Sequence, residues 1–142
     1  MKSVAELLRL NNHPLRFVAP NATVFEALQV LSEHGVGALA VMRGSKLMGI
    51  VSERDYTRKV ALLGKNSRTT TVAEIMTRDV LVVSPKTRTK ECMALMSEKK
   101  IRHLPVVDGE TVLGMLSIRD ILDHIIAEQE ATISQLENYI QS

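Results

Sequence analysis

The chain contains two copies of one sequence unit, offset by 65 residues, the separation of Gly49 from Gly114. Between residues 18–60 and 83–125, 12 of 43 aligned positions carry the same residue, where unrelated sequences of ordinary composition would share about 3. Neither copy alone covers both faces of a small sheet, so the two copies are expected to pack together. This repeat constrains the fold more than any single motif.

The most informative stretch of each copy is a corner with the order Gly-x-x-Ser-x-x-Asp. The corners comprise Gly49, Ser52 and Asp55 in the first copy and Gly114, Ser117 and Asp120 in the second. Apolar runs before the Ser and helical spacing after the Asp predict a strand, a turn and a helix. The Ser is then an N-cap, and the N–H groups of the first helical turn can bind an anion. The same order is also a capping box that needs no ligand.

Each copy predicts the element order strand, helix, strand, strand, helix. The first strands are residues 15–18 and 80–83, each before a proline turn. One hairpin joins runs 38–42 and 47–51, and the other joins runs 103–107 and 112–116. The predicted fold class is therefore α/β, of the α+β kind, with two β-α-β-β-α repeats packed about a pseudo-twofold axis.

The repeats lie in one module that spans residues 1–142. We place the first repeat at 12–65, the second at 71–126 and a C-terminal helical extension at 127–142, with a polar linker at 63–70. Capping-box orders at Ser3 and Thr71 predict a short helix at each of these points.

The last segment carries apolar residues at alternating steps of four and three. This heptad seam consists of Leu122, Ile126, Gln129, Ile133, Leu136 and Ile140. It spans fewer than three heptads, and it indicates either coiled-coil pairing or a helix folded back on its own module.

Composition excludes several functional classes. The 18 basic and 16 acidic residues are interspersed, and only 3% of residues are aromatic, so we expect no nucleic-acid partner. Cys92 is the only cysteine, which excludes an intramolecular disulfide and a multi-cysteine zinc site. No run approaches the ~20 apolar residues of a membrane span, and the N-terminus lacks the apolar core of a signal peptide. We therefore expect a cytoplasmic protein without a membrane partner.

With the repeat laid out, the sequence resembles the cystathionine β-synthase (CBS) domain family, as the tandem pair called a Bateman module. The resemblance is carried by the two corners and by the run Ile101-Arg102-His103-Leu104-Pro105-Val106-Val107-Asp108. The run Ser52-Glu53-Arg54-Asp55-Tyr56-Thr57-Arg58-Lys59-Val60 is similar to that of small stand-alone CBS-pair proteins of bacteria, which resemble plant organellar ones.

The resemblance implies two clefts that bind adenosine-containing ligands such as AMP, ATP, NAD or S-adenosylmethionine. It assigns the carboxylate that binds the ribose to Asp55 and Asp120, and the adjacent hydroxyl to Ser52 and Ser117. It assigns the basic pair before the following strand to Arg102 and His103, and it counts Pro105 in that strand as a further ligand-site residue. It implies that Asp55 faces Arg102 and His103, with Arg119 nearby. It also implies that Asp120 faces Gly37 and Ala38, with only Arg54 for charge.

The leading functional hypothesis is a regulatory sensor module that binds an adenine nucleotide and controls a partner protein or its own assembly. AMP is the first candidate ligand, with NAD or ATP as alternatives, and we expect a homodimer, an effector protein and no metal. The alternative is a structural protein-interaction domain with vestigial ligand sites. We expect no enzymatic activity, because no histidine has a catalytic partner that can be recognised in the sequence.

Overall fold

The chain folds into the elements of two consecutive repeats, as seen in a computed structural model that describes residues 2–11 and 13–141. The first part comprises helix α1 (Val4–Asn11), strand β1 (Phe17–Val18), helix α2 (Val24–His34), strands β2 (Ala38–Arg43) and β3 (Lys46–Ser52), helix α3 (Glu53–Tyr56) and a π-helical turn (Thr57–Ala61). The second comprises helices α4 (Val72–Ile75) and α5 (Thr89–Lys99), strands β4 (His103–Asp108) and β5 (Thr111–Ser117), and helix α6 (Ile118–Gln141). The predicted boundaries at residues 1, 12 and 142 lie outside the described residues.

Both predicted hairpins are confirmed. Strand β2 pairs antiparallel with β3, and β4 pairs antiparallel with β5. Each connection contains a glycine with positive φ, +60° at Gly44 and +61° at Gly109. Tight turns between twisted strands require this left-handed conformation, which glycine adopts without steric cost.

The first strand of the second repeat is much shorter than predicted. Residues 80–83 were expected to form a strand, but only Val83 forms a parallel bridge, to Val106. In the first repeat, the Ala40 N–H donates to Arg16 O at 3.2 Å beside the parallel pair of β1 and β2. The residue equivalent to Ala40 is Pro105, which has no N–H to donate. The pairing therefore stops at Val83.

The short helices α1 and α4 are each attached to the opposite repeat. The Val4 N–H at the start of α1 donates to Thr87 O of the second repeat at 3.0 Å. The equivalent bond joins Val72 N–H of α4 to Ala22 O of the first repeat at 2.8 Å. The two repeats thus use the same hydrogen bonds at equivalent positions, as copies related by a pseudo-twofold axis do.

The two hydrophobic cores show the same exchange of helices. Val72 and Ile75 of α4 are buried in the core of the first repeat, together with side chains of α2, β2 and β3. Val4 and Leu7 of α1 are buried in the core of the second repeat, against Cys92 and neighbouring residues of α5, β4 and β5. Each core therefore contains a helix from outside its own repeat.

Helix α6 continues without interruption for 24 residues. Its first part packs on the second repeat through the buried Ile121, and the buried His124 accepts from the Lys2 N–H at 3.5 Å through its Nε2. Every described residue from Gln129 to Gln141 is exposed, so the helix does not fold back on its own module. No described helix is long and apolar enough to cross a membrane.

Candidate functional site

The first corner is held by a capping box between Ser52 and Asp55. The Ser52 N–H and hydroxyl donate to Asp55 Oδ2 at 2.9 and 3.0 Å, and the Asp55 N–H donates to Ser52 Oγ at 3.2 Å. Lys59 Nζ lies 3.1 Å from Asp55 Oδ1. A carboxylate has about four lone-pair positions, and three of them are occupied at Asp55. One position on Oδ1 is left for a ligand.

The backbone donors of this corner are also largely committed to the protein. Gly37 O accepts from Glu53 N–H at 3.1 Å, and the capping box engages the N–H groups of Ser52 and Asp55. A helix start presents four N–H groups, and after these three bonds the Arg54 N–H remains as the donor available to a ligand. Recognition of an anion here would therefore depend on side chains more than on the helix terminus.

The second corner has the same cap but a different neighbour. The Ser117 N–H donates to Asp120 Oδ2 at 2.9 Å, and the Asp120 N–H donates to Ser117 Oγ at 3.2 Å. The position equivalent to Lys59 is His124, whose Nε2 lies 2.8 Å from Glu128 Oε1. Asp120 is only half-buried, whereas Asp55 is buried. The two carboxylates are equivalent in sequence and differ in their surroundings.

A cavity of about 480 Å³ opens beside the first corner, between segments of both repeats. Its lining residues are Gly37, Ala38, Ile50, Ser52, Glu53, Arg54, Asp55, Thr77, Asp79, Val80, Leu81, Lys100, Ile101, Arg102 and His103. The lining thus combines apolar side chains, carboxylates and basic groups. This volume and this mixture are typical of small-molecule sites.

The basic part of the lining is built around the end of α5. Lys100 ends this helix with φ +54°, the only positive φ among the described non-glycine residues. Its equivalent in the first repeat is Gly35, with φ +62°. Arg54 Nη1 donates to Lys100 O at 3.3 Å, which connects the first corner to the second repeat. A lysine held in a conformation that favours glycine is a feature that a functional site can retain.

His103 lies where the two repeats meet. A Cβ built on Gly37 would be 3.5 Å from His103 Cε1, so the imidazole packs against the Gly37 backbone. Burial lowers the pKa of His103 below its usual value, while the charge of Asp120 raises it and that of Arg102 lowers it. His103 therefore lines the cavity of the first corner, and the carboxylate of the second corner also affects its pKa.

The predicted site residues divide into two groups. Gly37, Ala38, Ser52, Arg54, Asp55, Arg102 and His103 line the cavity described above. Asp120 lines a second cavity of about 370 Å³ between α1 and α6, while Ser117, the exposed Arg119 and the buried Pro105 line neither. Which of these residues contact a ligand stays a prediction.

Three residues predicted for the cleft of Asp120 line the cavity of Asp55 in the structure, and the division of residues between two ligand clefts stays a prediction. Gly37, Ala38 and Arg54 were expected opposite Asp120, but they line the cavity that contains Asp55. The physical reason is that Gly37 packs against His103 and the Arg54 guanidinium is bonded to a backbone carbonyl at the end of α5.

Sequence reasoning missed several lining residues, including Lys100, Asp79 and Leu81. Lys100 had a signal, because it replaces Gly35 at the end of the equivalent helix. No sequence signal pointed to Asp79, because its equivalent in the first repeat is Pro14 and the two copies share no motif in that segment.

Metal-ligating groups are not clustered in the described part of the chain, where no three His, Cys, Asp or Glu side chains are placed to hold a metal ion. Cys92 is buried, and this burial, helped by the charge of Glu91, raises the pKa of its thiol to about 11. The thiol is therefore a packing group rather than a nucleophile.

Comparison with known proteins identifies the architecture. The sequence model of the CBS domain matches residues 4–62 and again residues 72–127. This chain belongs to the CBS domain family. The CBS domain-containing protein CBSX3, mitochondrial, of Arabidopsis thaliana is 37% identical over 124 residues, which cover 84% of this chain and 60% of the plant protein. The chain thus spans less than two thirds of that relative's length.

Solved structures of CBS-domain proteins share the fold. A putative signal-transduction protein with CBS domains from Burkholderia ambifaria has a TM-score of 0.86 at 44% identity, over 90% of this chain and 96% of its own. The CBS domain pair of protein MJ0100, in complex with 5′-methylthioadenosine and S-adenosyl-L-methionine, has a TM-score of 0.79 at 26% identity, over 90% of this chain and 98% of its own.

Proposed function

We propose that this CBS pair is a regulatory module that binds an adenosine-containing ligand in the cavity beside Asp55. The observation that carries the proposal is that one cavity combines the buried Asp55 carboxylate of the first repeat with Arg102 and His103 of the second. A carboxylate accepts hydrogen bonds from ribose hydroxyls, and a guanidinium donates two to a phosphate. The ligands of the MJ0100 pair support this ligand class.

AMP is the ligand that we propose first, with NAD or ATP as alternatives. Arg54, Lys100 and Arg102 line one cavity and favour a ligand with a phosphate over an uncharged nucleoside. Apolar lining residues such as Ile50 and Val80 provide surface for a base. Because the cavity is lined by both repeats, a bound ligand would favour one arrangement of them, and this is how binding would become a signal.

We propose binding without catalysis. The Ser52 hydroxyl, the obvious nucleophile of the cavity, donates to Asp55 and accepts from the Asp55 N–H, so it is committed to the cap. The proposal also includes a homodimer, an effector protein, a cytoplasmic location and no nucleic-acid or membrane partner. It keeps repeats at 12–65 and 71–126 and an extension at 127–142.

One observation favours the alternative, a structural interaction domain with vestigial sites. Three protein donors already occupy the Asp55 carboxylate, so the corner is satisfied without a ligand. On this alternative, no adenine compound stabilises the protein at millimolar concentration.

The decisive experiment measures AMP and adenosine binding by calorimetry and by thermal unfolding, since a ligand that binds only the folded state raises the melting temperature. Asp55→Asn should weaken AMP binding at least tenfold, about 1.4 kcal/mol. Asp120→Asn alters the equivalent position of the second capping box and should weaken AMP binding in this cavity less than Asp55→Asn does, because Asp120 does not line it. Arg102→Ala should weaken AMP binding and leave adenosine binding unchanged. Equal AMP affinities in the wild type and the Asp55 variant would refute the assignment.

A further inference from the structure

Helix α6 has two faces with different partners. Ile121 is buried in the core of the second repeat, and the buried His124 accepts from the Lys2 N–H near the start of the chain. The apolar residues of the heptad seam, Leu122, Ile126, Ile133, Leu136 and Ile140, are 48–80% exposed. The first two lie beside the module, and the other three lie on the part of the helix that extends beyond it. The exposed apolar row therefore follows the side of the helix that faces away from its own module.

The heptad positions of this row specify a kind of partner. Counting steps of four and three places Ile126, Ile133 and Ile140 at position a, and Leu122 and Leu136 at position d. Isoleucine at a with leucine at d favours two parallel helices. The remaining d position holds Gln129, and a single polar residue in a seam fixes the register at some cost in stability.

Charge selects the parallel orientation over the antiparallel one. The three e positions are all acidic, with Asp123, Glu130 and Glu137, and all three side chains are exposed. Antiparallel pairing of two identical helices brings the e rows together, so carboxylates would face carboxylates. Parallel pairing brings each e row against a g row, whose residues Ile125, Thr132 and Tyr139 are uncharged types.

We propose that the seam of α6 forms a parallel two-stranded coiled coil with the same helix of a second copy of this chain. Ile121 occupies position c and His124 position f, which lie opposite the seam, and Ile125 at position g also packs against the module. The a and d side chains are exposed, so pairing through them leaves the core of the module in place. The proposal specifies the surface and orientation of the homodimer put forward above, and it does not depend on the ligand site.

The first test compares two single substitutions on the exposed part of the helix. Ile133→Glu places a charge in the seam, whereas Ser134→Glu places the same charge at the adjacent b position, and neither residue touches the module's core. By analytical ultracentrifugation, the wild type and Ser134→Glu should sediment as dimers of this 15.8 kDa chain. Ile133→Glu should raise the dissociation constant by roughly 100-fold or more, because dimerisation would bury an unpaired charge.

The second test reads the orientation. Leu136→Cys should form a disulfide between copies in a glutathione buffer, because parallel pairing brings this position next to itself and antiparallel pairing does not. Gln135→Cys, at position c, should remain uncrosslinked, and the buried Cys92 does not compete. A monomeric wild type at 100 µM, equal masses for the Glu variants, or no crosslink at Leu136→Cys would overturn the proposal. Unchanged AMP binding by Ile133→Glu would separate failure of assembly from failure of the ligand site.

Discussion

Replacing Lys100 by glycine should stabilise the fold and, at the same time, weaken the binding of a phosphate-bearing ligand. Lys100 has φ +54°, and the left-handed conformation costs an L-residue about 1–2 kcal/mol. Glycine removes that cost but loses about 0.5–1 kcal/mol more backbone entropy on folding. The net gain is about 0.5–1 kcal/mol, or a melting temperature higher by roughly 1–4 °C for a chain of this length.

The same substitution should have an unfavourable effect on ligand binding. Lys100 lines the cavity, and a hydrogen bond from its ammonium group to a charged ligand would contribute about 1.5–3 kcal/mol. Loss of the ammonium group should therefore weaken AMP binding about 10- to 150-fold and leave adenosine binding unchanged. The Lys100 carbonyl that accepts from Arg54 is a backbone group, so glycine preserves that bond.

Urea unfolding measures the change in stability, and calorimetry with AMP and adenosine measures the change in affinity. Gly35→Lys is the matched control, because Gly35 has the same conformation in the first repeat and does not line the cavity. It should destabilise the protein by about 0.5–1 kcal/mol without changing AMP affinity. A less stable Lys100→Gly variant would refute the strain argument, whereas unchanged AMP affinity would remove Lys100 from the site.

Three further predictions concern packing and titration. Gly49→Ala should cost about 1–3 kcal/mol by urea unfolding, because its Cβ would lie 2.5 Å from a backbone carbonyl oxygen; Gly114→Ala should cost less, since its nearest contact is a movable leucine methyl at 3.2 Å. The pKa of His103 is lowered in the folded protein, so below about pH 6.5 the unfolded chain binds more protons than the folded one. The free energy of unfolding should therefore decrease as the pH is lowered, and His103→Gln should make this decrease smaller. Ellman's reagent should label Cys92 at pH 8 only after unfolding, and rapid labelling of the native protein would contradict its burial.

The sequence alone determined the features that depend on neighbouring residues. The two hairpins with Gly44 and Gly109 and the capping boxes at Ser52 and Ser117 are local, because each is set by side chains and turns a few residues apart. The shortened pairing at Val83 also has a local cause in Pro105. The shortening could have been predicted, because Pro105 replaces the residue whose N–H forms the corresponding bond in the first repeat.

Only the tertiary structure decided which elements meet. Helices α1 and α4 begin with the same capping chemistry, and nothing local in either sequence tells which core it enters, since that choice depends on contacts with residues far away in the chain. The cavity likewise brings together Asp55, Asp79 and Lys100, whose proximity depends on how one repeat packs on the other. The contact of the Arg54 guanidinium with the backbone carbonyl of Lys100, 46 residues away in the chain, had no signal in the sequence. Long side chains at an interface select among several distant partners, and the distances that decide the choice exist only in the folded chain.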